Sequence, residues 1–220
     1  MKTRGVLHDE MNKLRRELTL MAARVEDDLA KALIILRSGG ESSLVAEVKE
    51  SGKIVDALQL KIEDMALFLI ATQQPVAGDL RELVTVFKIT SSLERIGDYG
   101  IHLVKAAAKL SGKPPLRSMH RVETMAETGQ KMLKAAFSAY LAQDVAAAKK
   151  AASLDDIIDG EHKAITEELL KLMKKRSELV KTAARLLKLS GYMERLGDHI
   201  TNICEGIIFV AEGRHEELNQ

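Results

Sequence analysis

A chain of 220 residues with 46% apolar and 30% charged residues has the length and balance of one large or two small globular domains. Its formal charge of +1 excludes a chain-wide electrostatic grip on nucleic acid, and its lone cysteine, Cys204, excludes an intramolecular disulfide and suits a reducing, cytoplasmic setting. No signal-peptide core follows Met1, and the longest apolar run, "MALFLIA" at 65–71, falls short of the ~20 residues a bilayer span requires, so no membrane insertion is expected.

Trp is absent and Pro occurs only at 75, 114 and 115, while Ala, Leu, Lys and Glu dominate, a composition that favours helices. The breakers divide the chain into six of them. The first runs over 6–37 and ends in "RSGGESS", with Gly39 or Gly40 as its C-cap. The second, 42–73, stops at "QQPVAGD", where Asp79 can N-cap a third over 80–111. "SGKPP" at 111–115 is the strongest interruption. Beyond it come helices over 116–142, over 144–174 with its start residues in "QD" at 143–144, and over 178–212. "KKRS" at 174–177 reads as a solvated helix end. Apolar residues recur at spacings of three and four between breaks, and no alternating run argues for a strand. The expected fold is all-α: six helices as two three-helix bundles, over 1–112 and 113–220.

The two halves repeat each other. "MAARVEDDLAKAL" from Met21 aligns with "MAETGQKMLKAAF" from Met125, and "KIVDALQLKI" from Lys53 with "DIIDGEHKAI" from Asp156. The third helices align at an offset of 100, where "SSLERIGDYG" at 91–100 returns as "GYMERLGDHI" at 191–200. A glycine within a helix costs about 1 kcal/mol relative to alanine, and acids four apart on one face repel. A chain that accepts both costs twice needs a reason for them.

On a helical wheel, Glu94 and Asp98 share an edge bordering the apolar stripe, and Glu194 with Asp198 repeats that placement; Asn202 and Glu205 extend it. Gly97 and Gly197 fall inside the stripe, where a missing side chain lets a neighbouring helix approach closely. The second helices add acids: Asp155 and Asp159 in one unit, but only Asp56 in the other, because Gly52 stands where the second acid would be. Partly shielded carboxylates need compensation from basic side chains or from a hard cation with oxygen ligands. The same residues can also simply solvate helix faces.

"QQPVAGDLRELVTVFKITSSLERIGDYG" and "LLKLSGYMERLGDHITNICE" resemble the signature segments of the PhoU family of phosphate-transport accessory regulators, and "KIVDALQLKIEDMALFLIATQQP" and "LDDIIDGEHKAITEELLKLM" resemble that family's second helices. The resemblance spans nearly the whole chain, in order and duplicated. It implies two pseudo-symmetric three-helix bundles and a cytoplasmic regulator, not an enzyme, that acts with the ATPase of the phosphate ABC transporter and with the phosphate-sensing histidine kinase, and it implies a homodimer. It also implies a bound metal, iron or another cation, with candidate ligands Asp56, Glu94 and Asp98 in the first unit and Asp155, Asp159, Glu194 and Asp198 in the second. Gly52, His102 and Lys105 depart from the pattern; Lys105 can stand in for a cation, and the first metal site is the weaker expectation.

Two other readings remain open: a carboxylate-rich metal-binding or iron-storage protein, and an accessory to a different phosphate carrier. The paired Glu-x-x-His of ferritin-like sites is lacking, since Glu212 and His215 form the single instance. No Gly-x-x-x-x-Gly-Lys-Ser/Thr phosphate loop is present. Cys204 falls in the apolar stripe as a small core residue. His102 and His199 could join the acids, and His162 reads as a surface residue.

Overall fold

The computed structural model describes residues 2–38, 42–110 and 116–219. The expected caps Gly39 and Gly40, the "SGKPP" interruption and the boundary between 112 and 113 lie outside the described residues. Helix α1 spans Lys2–Ser38, α2 Ser42–Gln73 and α3 Ala77–Leu110. Helix α4 spans Ser118–Ala142, α5 Val145–Ala152, α6 Asp155–Lys175 and α7 Val180–Glu212, with one short 3₁₀ turn, Ser177–Leu179, ahead of α7. The described residues contain no strand.

The six expected segments are all helical, with one difference. The fifth is divided at Ser153 and Leu154 into α5 and α6. Asp144 caps α5 as expected, its Oδ1 accepting the Ala147 N–H at 2.9 Å. At the other end the Ser153 hydroxyl donates to the Lys150 carbonyl at 2.9 Å, and the chain turns without glycine or proline. A serine bonding back to its own helix competes with helix continuation and carries none of the usual breaker signal. The break starts α6 afresh at Asp155, a residue that matters below. Helix α3 begins slightly earlier than expected, so Asp79 lies inside its first turn, where its charge complements the helix dipole.

Helices α1, α2 and α3 pack on one another, as do α4, α6 and α7, with α5 against α4 and α7. The two bundles join along α3 and α7, which run antiparallel: the Arg185 guanidinium donates to the Lys109 carbonyl at 3.3 Å, while Thr85 meets Gly206. A methyl group on Gly206 would fall 2.8 Å from Thr85 Cγ2, so this glycine sets the close approach of the seam. Fully buried Leu14, Leu18 and Met21 of α1, Leu83 and Leu93 of α3, and Met193 and Ile200 of α7 form one continuous core. Each such side chain contributes roughly 1.5–3 kcal/mol on burial. Cys204 belongs to this core, and burial pushes its thiol up to about 12.

Polar ties cross the same interfaces. Arg15 of α1 grips buried Glu82 of α3 through two bonds of 2.6 Å, and the Tyr140 hydroxyl of α4 donates to Glu82 at 3.4 Å. Arg37 of α1 pairs with Glu123 and Glu127 of α4. Beyond α7, Gly213 adopts a φ of 73° and reverses the chain, so that 214–219 returns along α7. Among the described residues no helix is long and apolar enough to cross a membrane.

Candidate functional site

The repeated motif is exposed to solvent in the same way in both copies. From Leu93 to Gly100 and from Met193 to Ile200 the pattern is identical: the Glu half-buried, the Arg exposed, the Gly buried, the Asp half-buried. Each copy therefore carries a carboxylate rim along the border of its third helix, where the wheel puts it.

In the first rim, burial raises the Glu94 carboxyl above its usual range, with Asp98 and Asp56 adding repulsion and Arg95 opposing them. Arg95 lies along the rim, 3.3 Å from Glu94 and 3.9 Å from Asp98. A protein cation thus offsets part of the repulsion between these acids. At Gly52 the missing acid is replaced by packing: a Cβ there would lie 2.6 Å from the Ile101 Cδ1, so Ile101 fills the space. Gly97 is not tightly packed, since a Cβ on it would meet Val25 and Val55 at an ordinary 3.8 Å.

The second rim differs at those same positions. Asp155, the counterpart of Gly52, is 5% exposed and starts α6 against α7. Thr201, the counterpart of Ile101, donates its hydroxyl to Asp155 Oδ2 at 3.1 Å. Asp155 Oδ1 has no hydrogen-bond partner. This carboxylate occupies the space that Gly197 leaves: a Cβ there would stand 2.0 Å from Oδ1. Burial, followed by the charges of Asp159, Asp198 and Glu194, pushes Asp155 up to about 7 despite the Thr201 bond. Asp198 is raised too, by burial and then by Glu194 and Asp159. So the acid–hydroxyl pair of one half replaces the glycine–isoleucine pair of the other.

The remaining candidates lie elsewhere. His199 stacks at a tilt 5.8 Å from Tyr99, in the seam between α3 and α7, and His102 stacks on Tyr192 at 4.6 Å. Burial lowers both histidines, assisted by Arg95 at His199 and by Lys105 at His102. His162 is not a surface residue: it is half-buried, with Nδ1 3.1 Å from the Ser190 hydroxyl. Glu205 accepts the Leu218 N–H at 2.9 Å and Asn219 donates to Asp198 at 3.0 Å, so the C-terminal segment engages this edge of α7. Sequence reasoning missed Asp28, which is 3% exposed with Oδ1 unpartnered and its carboxyl raised by burial. The signal was present: Asp28 stands between Val25 and Ala32 on the core stripe of α1, where an acid is out of place.

Among the described residues no three His, Cys, Asp or Glu side chains converge as metal ligands. The second rim nonetheless fits a hard cation in its chemistry: all-oxygen donors, mutual repulsion, and an orphaned buried carboxylate oxygen. The first rim fits less well, with Arg95 across it and Ile101 where the buried acid would be.

The fold is a pseudo-symmetric all-α pair of three-helix bundles with a carboxylate rim in each half. The model of the PhoU domain matches residues 18–107 and again 122–207, one match per bundle. The chain is 31% identical over 218 residues to a phosphate-specific transport system accessory protein PhoU homolog of Clostridium acetobutylicum, covering 99% of each. It is 35% identical over 211 residues to a homolog of the same description from Caulobacter vibrioides, covering 96% of this chain and 90% of that protein. The crystal structure of PhoU from Pseudomonas aeruginosa superposes with a TM-score of 0.89 at 28% identity, covering 94% of this chain and 99% of that one. The chain belongs to the PhoU family of phosphate-transport accessory proteins.

Proposed function

We propose that this protein regulates phosphate uptake and the phosphate-starvation response as a cytoplasmic adaptor, binding the ATPase of the phosphate ABC transporter and the phosphate-sensing histidine kinase and holding the response off when phosphate is plentiful. The observation that carries the reading is the duplicated, nearly full-length likeness to phosphate-specific transport system accessory proteins. Assembly as a homodimer completes the proposal.

Metal binding belongs to the same reading. Asp155, Asp159, Glu194 and Asp198 would hold the cation, iron or another hard ion, which would add to the partial compensation that Arg195 gives Asp198. Asp56, Glu94 and Asp98 would be the weaker set because Arg95 already serves them.

Affinity capture of the tagged full chain from phosphate-replete cells tests the adaptor role. The transporter ATPase or the sensor kinase is expected among the recovered proteins and is depleted after phosphate starvation. Recovery of neither contradicts the adaptor and favours a metal-binding protein.

A further inference from the structure

The i to i+100 repeat places two equivalent grooves on the α3–α7 seam. One, of about 280 Å³, is lined by His102, Lys105 and Lys109 of α3 and by Arg185, Lys188 and Tyr192 of α7. Their counterparts one hundred positions away are Asn202, Glu205 and Phe209 of α7 and Thr85, Lys88 and Ser92 of α3. All six line the second groove, of about 650 Å³. The two grooves are thus the same architectural feature with different chemistry.

The chain itself forms part of the wall of the second groove. His215, Glu216 and Glu217 of the returning C-terminal segment line it, the His215 ring stacks on Phe209 at 4.2 Å, and the Leu218 N–H bonds to Glu205. Among the described residues the lining of the first groove contains four cationic side chains and no acid. None of Lys105, Lys109, Arg185 and Lys188 has an acidic partner among the described residues, in a chain whose net charge is only +1. Lys109, in the last turn of α3, gains something from the helix dipole, and Arg185 from the Lys109 carbonyl. Lys188 gains neither, lying beyond the first turn of α7 and without a hydrogen-bonded carbonyl. Like charges three and four apart on both helices add repulsion. A negatively charged occupant reverses these costs.

We propose that this cationic groove receives an extended acidic peptide segment of a partner protein, laid along the α3–α7 seam as the chain's own C-terminal segment lies along the equivalent groove. Spacing supports a peptide. Lys105 and Lys109 are one helical turn apart, about 6 Å along the axis, and alternate side chains of an extended peptide repeat at about 6.6 Å. Successive acidic side chains on one face of such a strand meet successive cations, whereas a single phosphate spans one position. The stacked His102 and Tyr192 rings, with the Lys188 ammonium 5.5 Å from the Tyr192 centroid, offer an apolar platform beside the charges, as Phe209 does for His215. The inference stands on the grooves alone and does not depend on which protein supplies the peptide.

The test is fluorescence anisotropy of a fluorescein-labelled Glu-Glu-Leu-Glu-Glu-Leu peptide titrated with the full chain. Saturable binding that weakens as salt rises is expected. K105E/K188E should bind at least about tenfold more weakly, while K88E, altered in the equivalent groove, should match the parent. Lys105→Glu copies the residue that the other half carries at Glu205, so the double variant is expected to fold, which circular dichroism verifies. No binding, or equal binding by K105E/K188E, overturns the proposal. Displacement of the peptide by inorganic phosphate or pyrophosphate at equal or lower concentration also overturns it, and makes the groove a small-anion site.

Discussion

Gly197→Ala should lower the thermal midpoint by about 2–12 °C, while Gly97→Ala, the same change in the same motif, should raise it by about 2–4 °C. The new methyl at 197 would lie 2.0 Å from Asp155 Oδ1 and 3.2 Å from Ile158 Cδ1. The carboxylate must leave its place and with it the Thr201 hydrogen bond. Overpacking of this kind costs about 1–3 kcal/mol and the bond about 1 kcal/mol more, against a helix-propensity gain near 1 kcal/mol. For a chain of this length each 1 kcal/mol moves the midpoint by about 2–4 °C. At 97 the methyl finds Val25 and Val55 at 3.8 Å, so the propensity gain stands alone. Thermal unfolding followed by circular dichroism reads both. Gly197→Ala combined with Asp155→Ala should recover most of the loss, because removing the carboxylate clears the space.

The second large effect is a dependence on pH. Asp155 moves from an ordinary 3.8 in the unfolded chain to about 7 in the fold. Between those values the folded protein holds a proton that the unfolded chain has released. Stability is therefore lost as pH rises from about 4 to about 7 and levels off above, by roughly 2–4 kcal/mol for a side chain this buried. Glu94, Asp198 and Asp28 are raised by burial and act in the same direction. Glu178 and Glu216, held low by Arg176 and Lys149, are ionised in both states above about pH 5.5 and give no slope there. His102 and His199 oppose the trend, since their lowered values add stability as pH rises towards 6.5. Comparison of Asp155→Asn with the parent cancels these contributions. The variant should be the more stable protein at pH 8, and the advantage should shrink or vanish at pH 5. Parallel curves for the two proteins would show that Asp155 is ionised at an ordinary pH.

Much of the fold was legible because helix periodicity and breakers act locally. Pro75, Asp144 and the stripe from Leu83 to Val104 each report on their own neighbourhood, and the repeat adds a second reading of the same pattern. The divided fifth helix was not legible, because "AASLDD" contains no residue that forbids helix and the turn rests on one serine hydroxyl. The carboxylate rims were legible to the level of which residues share an edge. Their inequality was only half visible. Gly52 announced a missing acid, but that Ile101 fills its place and that Thr201 holds Asp155 depends on where α2 and α6 cross the third helices. Gly97 and Gly197 looked alike for the same reason: sequence gives the stripe and not the neighbour. His102, Lys105, Arg185 and Lys188 converge only because α3 and α7 pack antiparallel, a relation between distant segments that neither pattern contains.

Arg95 and the packing of Ile101 serve one of the two duplicated rims, and we propose that the other, at Asp155, Asp159, Glu194 and Asp198, takes a cation. Metal content measured by elemental analysis on the full chain, after equilibration with ferrous ion or manganese at pH 8 and desalting, tests it most directly. About one tightly held ion per chain is expected, lost in D159A/D198A and kept in D56A/D98A. Equal retention by both variants, or an ion-free parent, would contradict the account.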